Sequence, residues 1–196
     1  ALVLISNKLR NNADFDIVGF VERKMAEQYS WWISKEIIAG TAGKIQNAFS
    51  TTTNKVTATG TTITADDLID LQLSIPTNMS DLAIWIMHRN TLKAVRKLKD
   101  GNGNYLLIDN FATGGGYTLL GHNVYVDENA PEIGSNARVV LYGNFKDYIL
   151  KFSKDLEIQV LTERFAEKYA TGVMGFAEID GKIKNQQSFA VLELGA

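Results

Sequence analysis

The sequence predicts an α+β fold: a long helix and a long β-hairpin sheet form one part, and a compact strand–helix unit forms the other. Three observations predict it. Residues 14–38 carry apolar side chains at helical spacing, residues 82–99 pass from a continuous apolar run into a helical pattern, and short strand signals dominate from Tyr105 onward. With 196 residues, 45% hydrophobic and 21% charged, the chain can bury a sizeable core as one large domain or two small ones, and wholesale disorder is excluded.

The first element is the helix over 14–38. Val18, Val21, Met25, Tyr29 and Trp32 recur three and four residues apart and so share a face, while Glu22, Arg23, Lys24, Glu27, Lys35 and Glu36 take much of the rest. Asn11, Asn12 or Asp14 can cap its start by offering a short side-chain acceptor to the orphan N–H groups, and Gly40 can end it in the left-handed conformation. At 1.5 Å per residue this is a rod of roughly 36 Å, long enough for a spine. Residues 50–64 are dense in Thr, Ser, Asn and Gly and predict an exposed loop or hairpin. Thr64 and Asp67 resemble a capping box, which predicts a helix over 66–75 that buries Leu68, Leu71 and Ile75 and stops before Pro76.

Residues 82–87 form a continuous apolar run, the pattern of a strand buried on both sides. A helix over 91–99 follows, with Leu92, Val95 and Leu98 inward and Lys93, Arg96, Lys97 and Lys99 outward. Further strands are expected at 106–108, 123–126, 139–142, 148–152 and 156–161. Residues 169–179 and 182–194 flank Asp180-Gly181, a strong two-residue hairpin signal.

Several classes of chemistry are excluded. There are no cysteines, so disulfides, thiolate catalysis, Cys-ligated zinc and iron–sulfur clusters are absent. A net charge of −2 without a basic block argues against binding nucleic acid through its phosphates. No window approaches the roughly 20 apolar residues of a membrane span, and residues 1–5 are too short for a signal peptide core. The chain opens on Ala1 rather than methionine, as a processed protein or a piece of a longer one would.

The remaining candidate sites have plain explanations. Gly40-Thr41-Ala42-Gly43-Lys44 lacks the spacing and the Ser/Thr of a phosphate-binding loop and follows a helix rather than a strand, so it reads as a helix-ending turn. Gly114-Gly115-Gly116 could approach a ligand closely but reads as a loop between strands. His88 and His122 lack partners at metal-ligand spacing and read as structural. Asp66, Asp67 and Asp70 suit a helix N-terminus, and Ser6, Ser34 and Ser153 lack a nucleophile-elbow context. No catalytic, metal or cofactor set results, and the chain is read as a non-enzyme. Trp31 and Trp32 sit about 100° apart on the first helix, so one reaches the core and the other meets a neighbouring subunit or a second buried side.

The succession of Trp85-Ile86-Met87-His88-Arg89-Asn90, the helix over 91–99, Asp100-Gly101-Asn102-Gly103-Asn104-Tyr105-Leu106 and Leu119-Leu120-Gly121-His122-Asn123-Val124 resembles the major capsid proteins of tailed bacteriophages. Gly143-Asn144-Phe145 with Tyr148, and the glycine-rich run after the long helix, extend the likeness over most of the chain. The resemblance implies that fold: a peripheral domain from 1–64 with the spine helix and from 148–196 with the β strands, and a compact α/β axial domain over 65–147.

It further implies a structural subunit that self-assembles into pentamers and hexamers of an icosahedral phage or prophage capsid enclosing double-stranded DNA. Its implied partners are copies of itself, with scaffolding, protease and portal proteins as further candidates, and with neither sequence-specific DNA binding nor a membrane. The implied location is the virion, after assembly in the bacterial host cytoplasm. Trp31, Trp32, Lys35, Asn102, Asn104, Tyr117 and Lys168 are the candidate subunit contacts. Family members carry an N-terminal arm and an extended loop before the spine helix; only residues 1–10 precede it here, so both are expected to be missing. Some relatives crosslink through a lysine on that loop and an asparagine on the peripheral domain. The matching peripheral position here is Lys168, which does not support covalent crosslinking. The alternatives are an encapsulin-like compartment shell, which shares the fold but packages enzymes, and a small enzyme or ligand-binding domain with a pocket near Gly114–Gly116.

Overall fold

The computed structural model describes residues 1–40, 45–99 and 116–196. In chain order its elements are β1 (Leu2–Ser6), α1 (Asn7–Asn12), α2 (Ile17–Ala39), α3 (Ala48–Thr51), β2 (Lys55–Thr57), α4 (Ala65–Leu73), α5 (Thr77–Ser80), β3 (Ile84–Met87) and α6 (Arg89–Arg96), then β4 (Tyr117–Leu119), β5 (His122–Val126), β6 (Arg138–Gly143), β7 (Tyr148–Leu161), β8 (Ala170–Ile183) and β9 (Phe189–Glu193). They divide into two units: Ala1–Glu36 with Leu150–Asp180, and Ile37–Ile149 with Gly181–Ala196.

The first unit joins most of α2 to a three-stranded sheet in the order β1-β8-β7, with β1 antiparallel to β8 and Leu2 opposite Met174. The Asp16 carbonyl accepts the Phe20 N–H at 3.1 Å, so the helix starts from Asp16 and not from Asn11, Asn12 or Asp14. Both asparagines are the last residues of α1, a short helix the periodicity did not reveal. Val18, Val21 and Met25 pack against buried Ile5, Ile17 and Val173, as the inward stripe of α2 predicts. Glu36 departs from the expected polar face, being only 4% exposed.

The second unit is built on a six-stranded mixed sheet in the order β2-β9-β6-β3-β5-β4. β3 runs parallel to β5 and antiparallel to β6, while β9 lies antiparallel to β6 and parallel to β2. On one side Trp85, Met87, Val140, Tyr142 and Leu192 pack with Leu68 and Leu71 of α4 and with Leu92 and Val95 of α6. On the other, Ile86, Leu141, Phe189 and Val191 meet Ile38, Ala48 and Phe49. The alternation of neighbouring strand residues between these two clusters shows a sheet covered on both faces, which is why residues 84–87 are unbroken apolar; Leu82, expected in the strand, is an exposed turn residue before it.

The Thr64–Asp67 capping box is present: Thr64 Oγ1 accepts the Asp67 N–H at 3.2 Å and Asp67 Oδ2 accepts the Thr64 N–H at 2.8 Å. Arg138 ties α3 to the sheet, its guanidinium donating to the carbonyls of Phe49, Ser50 and Thr52 and to Glu193 Oε2 at 3.1 Å.

Four sequence expectations are corrected. The Asp180-Gly181 hairpin does not form: β8 runs through both residues, and β9 pairs with β6 and β2 instead. Residues 148–161 are one strand rather than two. Residues 50–64 contain the end of α3, strand β2 and the buried Thr52, Ala58 and Ile63, not an exposed loop throughout. The helix expected at 91–99 spans Arg89–Arg96, because His88 caps it two residues earlier. The units divide at 36/37, 149/150 and 180/181, with β9 in the six-stranded sheet, and the resemblance implies domain bounds at 64/65 and 147/148. The strand expected at 106–108 lies outside the described residues.

Candidate functional site

The two histidines are committed to structure. The Nδ1 of His88 accepts the Asn90 N–H at 3.1 Å, which caps α6. In the neutral ring that leaves the proton on Nε2, which faces Glu128 at 3.2 Å and Glu132 at 3.6 Å. A nitrogen that donates to carboxylates is not free to ligate a metal or to take a proton from a substrate. Arg89 forms an ion pair with Glu128 at 2.8 Å. His122 places Nδ1 3.1 Å from the Ala83 carbonyl and stands edge-on to Tyr142. Among the described residues no group of three or more His, Asp or Glu side chains is placed to hold a metal ion. Nor is any helix long and apolar enough to cross a membrane.

What the first unit offers instead is apolar surface. Successive residues of a helix point about 100° apart, and Trp31 and Trp32 divide accordingly. Trp32 stacks on Tyr29, with ring centroids 6.3 Å apart and planes 17° apart, while Trp31 is 75% exposed. Trp31 continues a face that holds Phe20, Lys24 and Glu27, where Lys24 pairs with Glu27 at 2.6 Å and lies 6.0 Å from the Phe20 ring centroid. Phe15, 62% exposed, packs edge-on against Phe20 with ring centroids 6.1 Å apart. Leu2, Val3, Leu4 and Leu9 are exposed beside them in sequence on β1 and α1.

The other face of α2 borders a groove of about 800 Å³. Val21, Met25, Tyr29 and Trp32 line it from the helix, and Leu156 and Phe176 from the sheet. The Tyr29 hydroxyl is buried without a hydrogen-bond partner among the described residues. Burial raises its pKa, and the nearby Asp155 carboxylate raises it further. Such a surface can bind a polypeptide by shape and apolar burial; it has no group poised for bond making.

The contact residues expected from sequence fall in different places. Trp31, Trp32 and Lys35 lie on α2 and Lys168 on an exposed 3₁₀ turn, all in the first unit. Tyr117 begins β4 in the second unit, half-buried with the Arg96 guanidinium 5.1 Å from its ring centroid. Asn102 and Asn104 lie outside the described residues, as do Gly114, Gly115 and the segment Thr41-Ala42-Gly43-Lys44. Phe15, Phe20 and Phe152 were not singled out from sequence. Phe20 carries the one available signal, since it is out of phase with the inward stripe of Val18, Val21 and Met25 and in phase with Trp31.

A family model described as the phage capsid family matches residues 1–194. The structure is similar to the capsid of a native GTA particle at 23% identity and a TM-score of 0.87, over 100% of this chain and 71% of that one. It is similar to Microbacterium phage Oxtober96 at 18% identity and a TM-score of 0.73, over 99% and 71% of the two chains. It also matches the holo-SrpI encapsulin complex from Synechococcus elongatus at 13% identity and a TM-score of 0.70, over 98% and 71%. At these identities the likenesses show the fold. No curated protein matches the chain by sequence.

Proposed function

Because the chain belongs to the phage capsid family and is a structural subunit of a bacteriophage capsid, we propose that copies of it close around five- and six-fold axes into an icosahedral shell around double-stranded DNA. On this reading the first unit is the peripheral domain and the second the axial domain. The observation that carries it is the exposed aromatic face of α2 (Phe20 and Trp31, with Phe15 beside it), which a lone subunit would leave in water. Heterologous contacts that close around rotation axes build rings and then a shell from one sequence, and many modest contacts per subunit hold it.

The reading needs no chemistry from the chain, which we take to act without catalysis. A net charge of −2 suits a wall that encloses DNA without adhering to it. Scaffolding, protease and portal proteins are the further partners such a shell would meet. The expected place of the finished subunit is the virion, after assembly in the host cytoplasm. Trp31, Trp32, Lys35 and Lys168 are proposed as contacts of the peripheral domain and Tyr117 of the axial domain.

Negative-stain electron microscopy of the protein expressed alone tests the proposal. Closed particles that vanish in Trp31→Ala, while that variant keeps its circular dichroism spectrum, are expected. Particles that persist at full yield in Trp31→Ala would remove this face from the assembly. Dispersed subunits of both proteins across salt and pH would count against self-assembly of the chain. Nucleic acid inside the particles supports a genome container, and packaged enzyme supports a compartment shell.

A further inference from the structure

The three-stranded sheet of the first unit ends on one side at β7, whose outer edge pairs with no strand among the described residues. This is a 14-residue strand, well above the usual five or six. Its middle, Lys151-Phe152-Ser153-Lys154-Asp155, is exposed at every position, so neither face of the ribbon is covered there. An edge of this kind presents a row of unpaired N–H and C=O groups, a template for another strand. Chains commonly block such edges with lysine. The charges here have another property: they are self-complementary.

We propose that the β7 edges of two copies of this chain pair antiparallel across a two-fold axis at Ser153, joining two three-stranded sheets into one. The inference rests on the shell reading only in requiring copies of the chain to meet. A two-fold axis perpendicular to the sheet keeps each side chain on its own face, so only registers that shift by two residues are possible. With the axis at Ser153, Lys151 stands opposite Asp155 of the second copy, twice, on one face. Phe152 stands opposite Lys154 and Leu150 opposite Leu156, each twice, on the other. Opposite charges, a cation facing an aromatic ring, and apolar pairs all coincide.

Neighbouring registers lose this. An axis at Lys154 sets two lysines against each other, one at Asp155 sets two aspartates together, and one at Phe152 leaves both Lys151 side chains facing serine. Within its own chain the Lys154 ammonium lies 4.1 Å from the Phe176 ring centroid and 2.7 Å from Glu157, so it already meets one aromatic face.

Cysteine crosslinking of the full chain tests the pairing, since the protein has no cysteine of its own. Directly opposite residues of antiparallel strands have Cα atoms about 4.5–5.5 Å apart, within disulfide range. Ser153→Cys, exposed and harmless to folding, is expected to give a disulfide dimer on a non-reducing gel after mild oxidation. Glu178→Cys, exposed on the central strand β8, serves as the collision control. Adding Lys151→Asp to Ser153→Cys puts aspartate opposite aspartate twice and should lower the dimer yield about tenfold. Adding Asp155→Lys as well should restore it. A Ser153→Cys dimer no more abundant than the control, or one indifferent to the charge changes, overturns the proposal. Particle counts on the same samples report on the shell separately, so shells without the dimer refute the pairing alone, and the dimer without shells refutes only the shell.

Discussion

The two units place their large side chains differently. In the second, Trp85, Tyr142, Phe189, Leu71 and Met87 are fully enclosed by a sheet covered on both faces. In the first, Val173 alone among the described apolar residues is fully enclosed, Ile5, Ile17 and Ala170 come next, and Phe15, Phe20, Trp31, Phe152 and Tyr169 stand in solvent. Apolar burial stabilises by about 25 cal/mol per Å², so the second unit holds most of its stabilising surface inside itself, whereas the first displays it outward. On the proposed shell reading, the second unit keeps its shape and the first offers its exposed aromatic groups to a neighbour.

The largest effect should follow from emptying the second core. Trp85 is fully buried, its ring centroid lies 4.3 Å from that of Tyr142, and its Nε1 donates to the Leu119 carbonyl at 2.9 Å. Trp85→Ala should cost about 4 kcal/mol, read as a lowered urea midpoint or as loss of soluble protein. Ile17→Ala in the first unit should cost less, about 2 kcal/mol, because its sparse surroundings can collapse on the gap. A loss equal to that of Trp85→Ala would show the first unit to be as tightly built as the second.

A smaller effect concerns the charges that fasten β9. Glu193 accepts from Lys55 at 2.8 Å and from Arg138 at 3.1 Å, and these hydrogen bonds, Lys55 first, hold its carboxyl below the ordinary value of 4.5. Its folded pKa is depressed, so its contribution is fully present above pH 4.5 and is lost as pH falls through the folded value. Glu193→Gln should therefore cost roughly 1 kcal/mol at pH 7, with urea midpoints that converge on wild type in acid. Thr64→Ala, which removes the hydroxyl half of the capping box, should cost about 1 kcal/mol at any pH. The smallest change in subunit stability is expected for Trp31→Ala, within about 0.5 kcal/mol, since the ring touches so little. Its effect should fall on assembly alone, and a marked loss of subunit stability would move Trp31 from the interface to the core.

Local signals were legible where local physics decides. The Thr64–Asp67 box, the inward stripe of α2, and the apolar run ending at Met87 all follow from spacing within one or two turns. The largest failure comes from pairing with distant partners. Asp180-Gly181 carries a hairpin signature, but β9 gains more by entering a sheet whose other strands lie far back in the chain. Residues 153–155 look like a break because they are polar, yet a strand exposed on both faces has no reason to alternate. The exposed aromatic face was only half legible. Periodicity shows that Trp31 and Trp32 diverge, but not which of them is enclosed.

The position of β9 has a consequence for synthesis. It sits between β2 and β6 in the sheet, although every other strand of that sheet leaves the ribosome before it. At about 5–20 residues per second, β6 must wait on the order of seconds for its neighbour, while the whole of β7 and β8 is made in between. During that interval Val140 and Tyr142 have no β9 to pack against, and the nascent sheet has an open, apolar seam. A chain stalled before residue 189 cannot close the unit. Only a polypeptide made that far can complete the six-stranded sheet and the core packed on it.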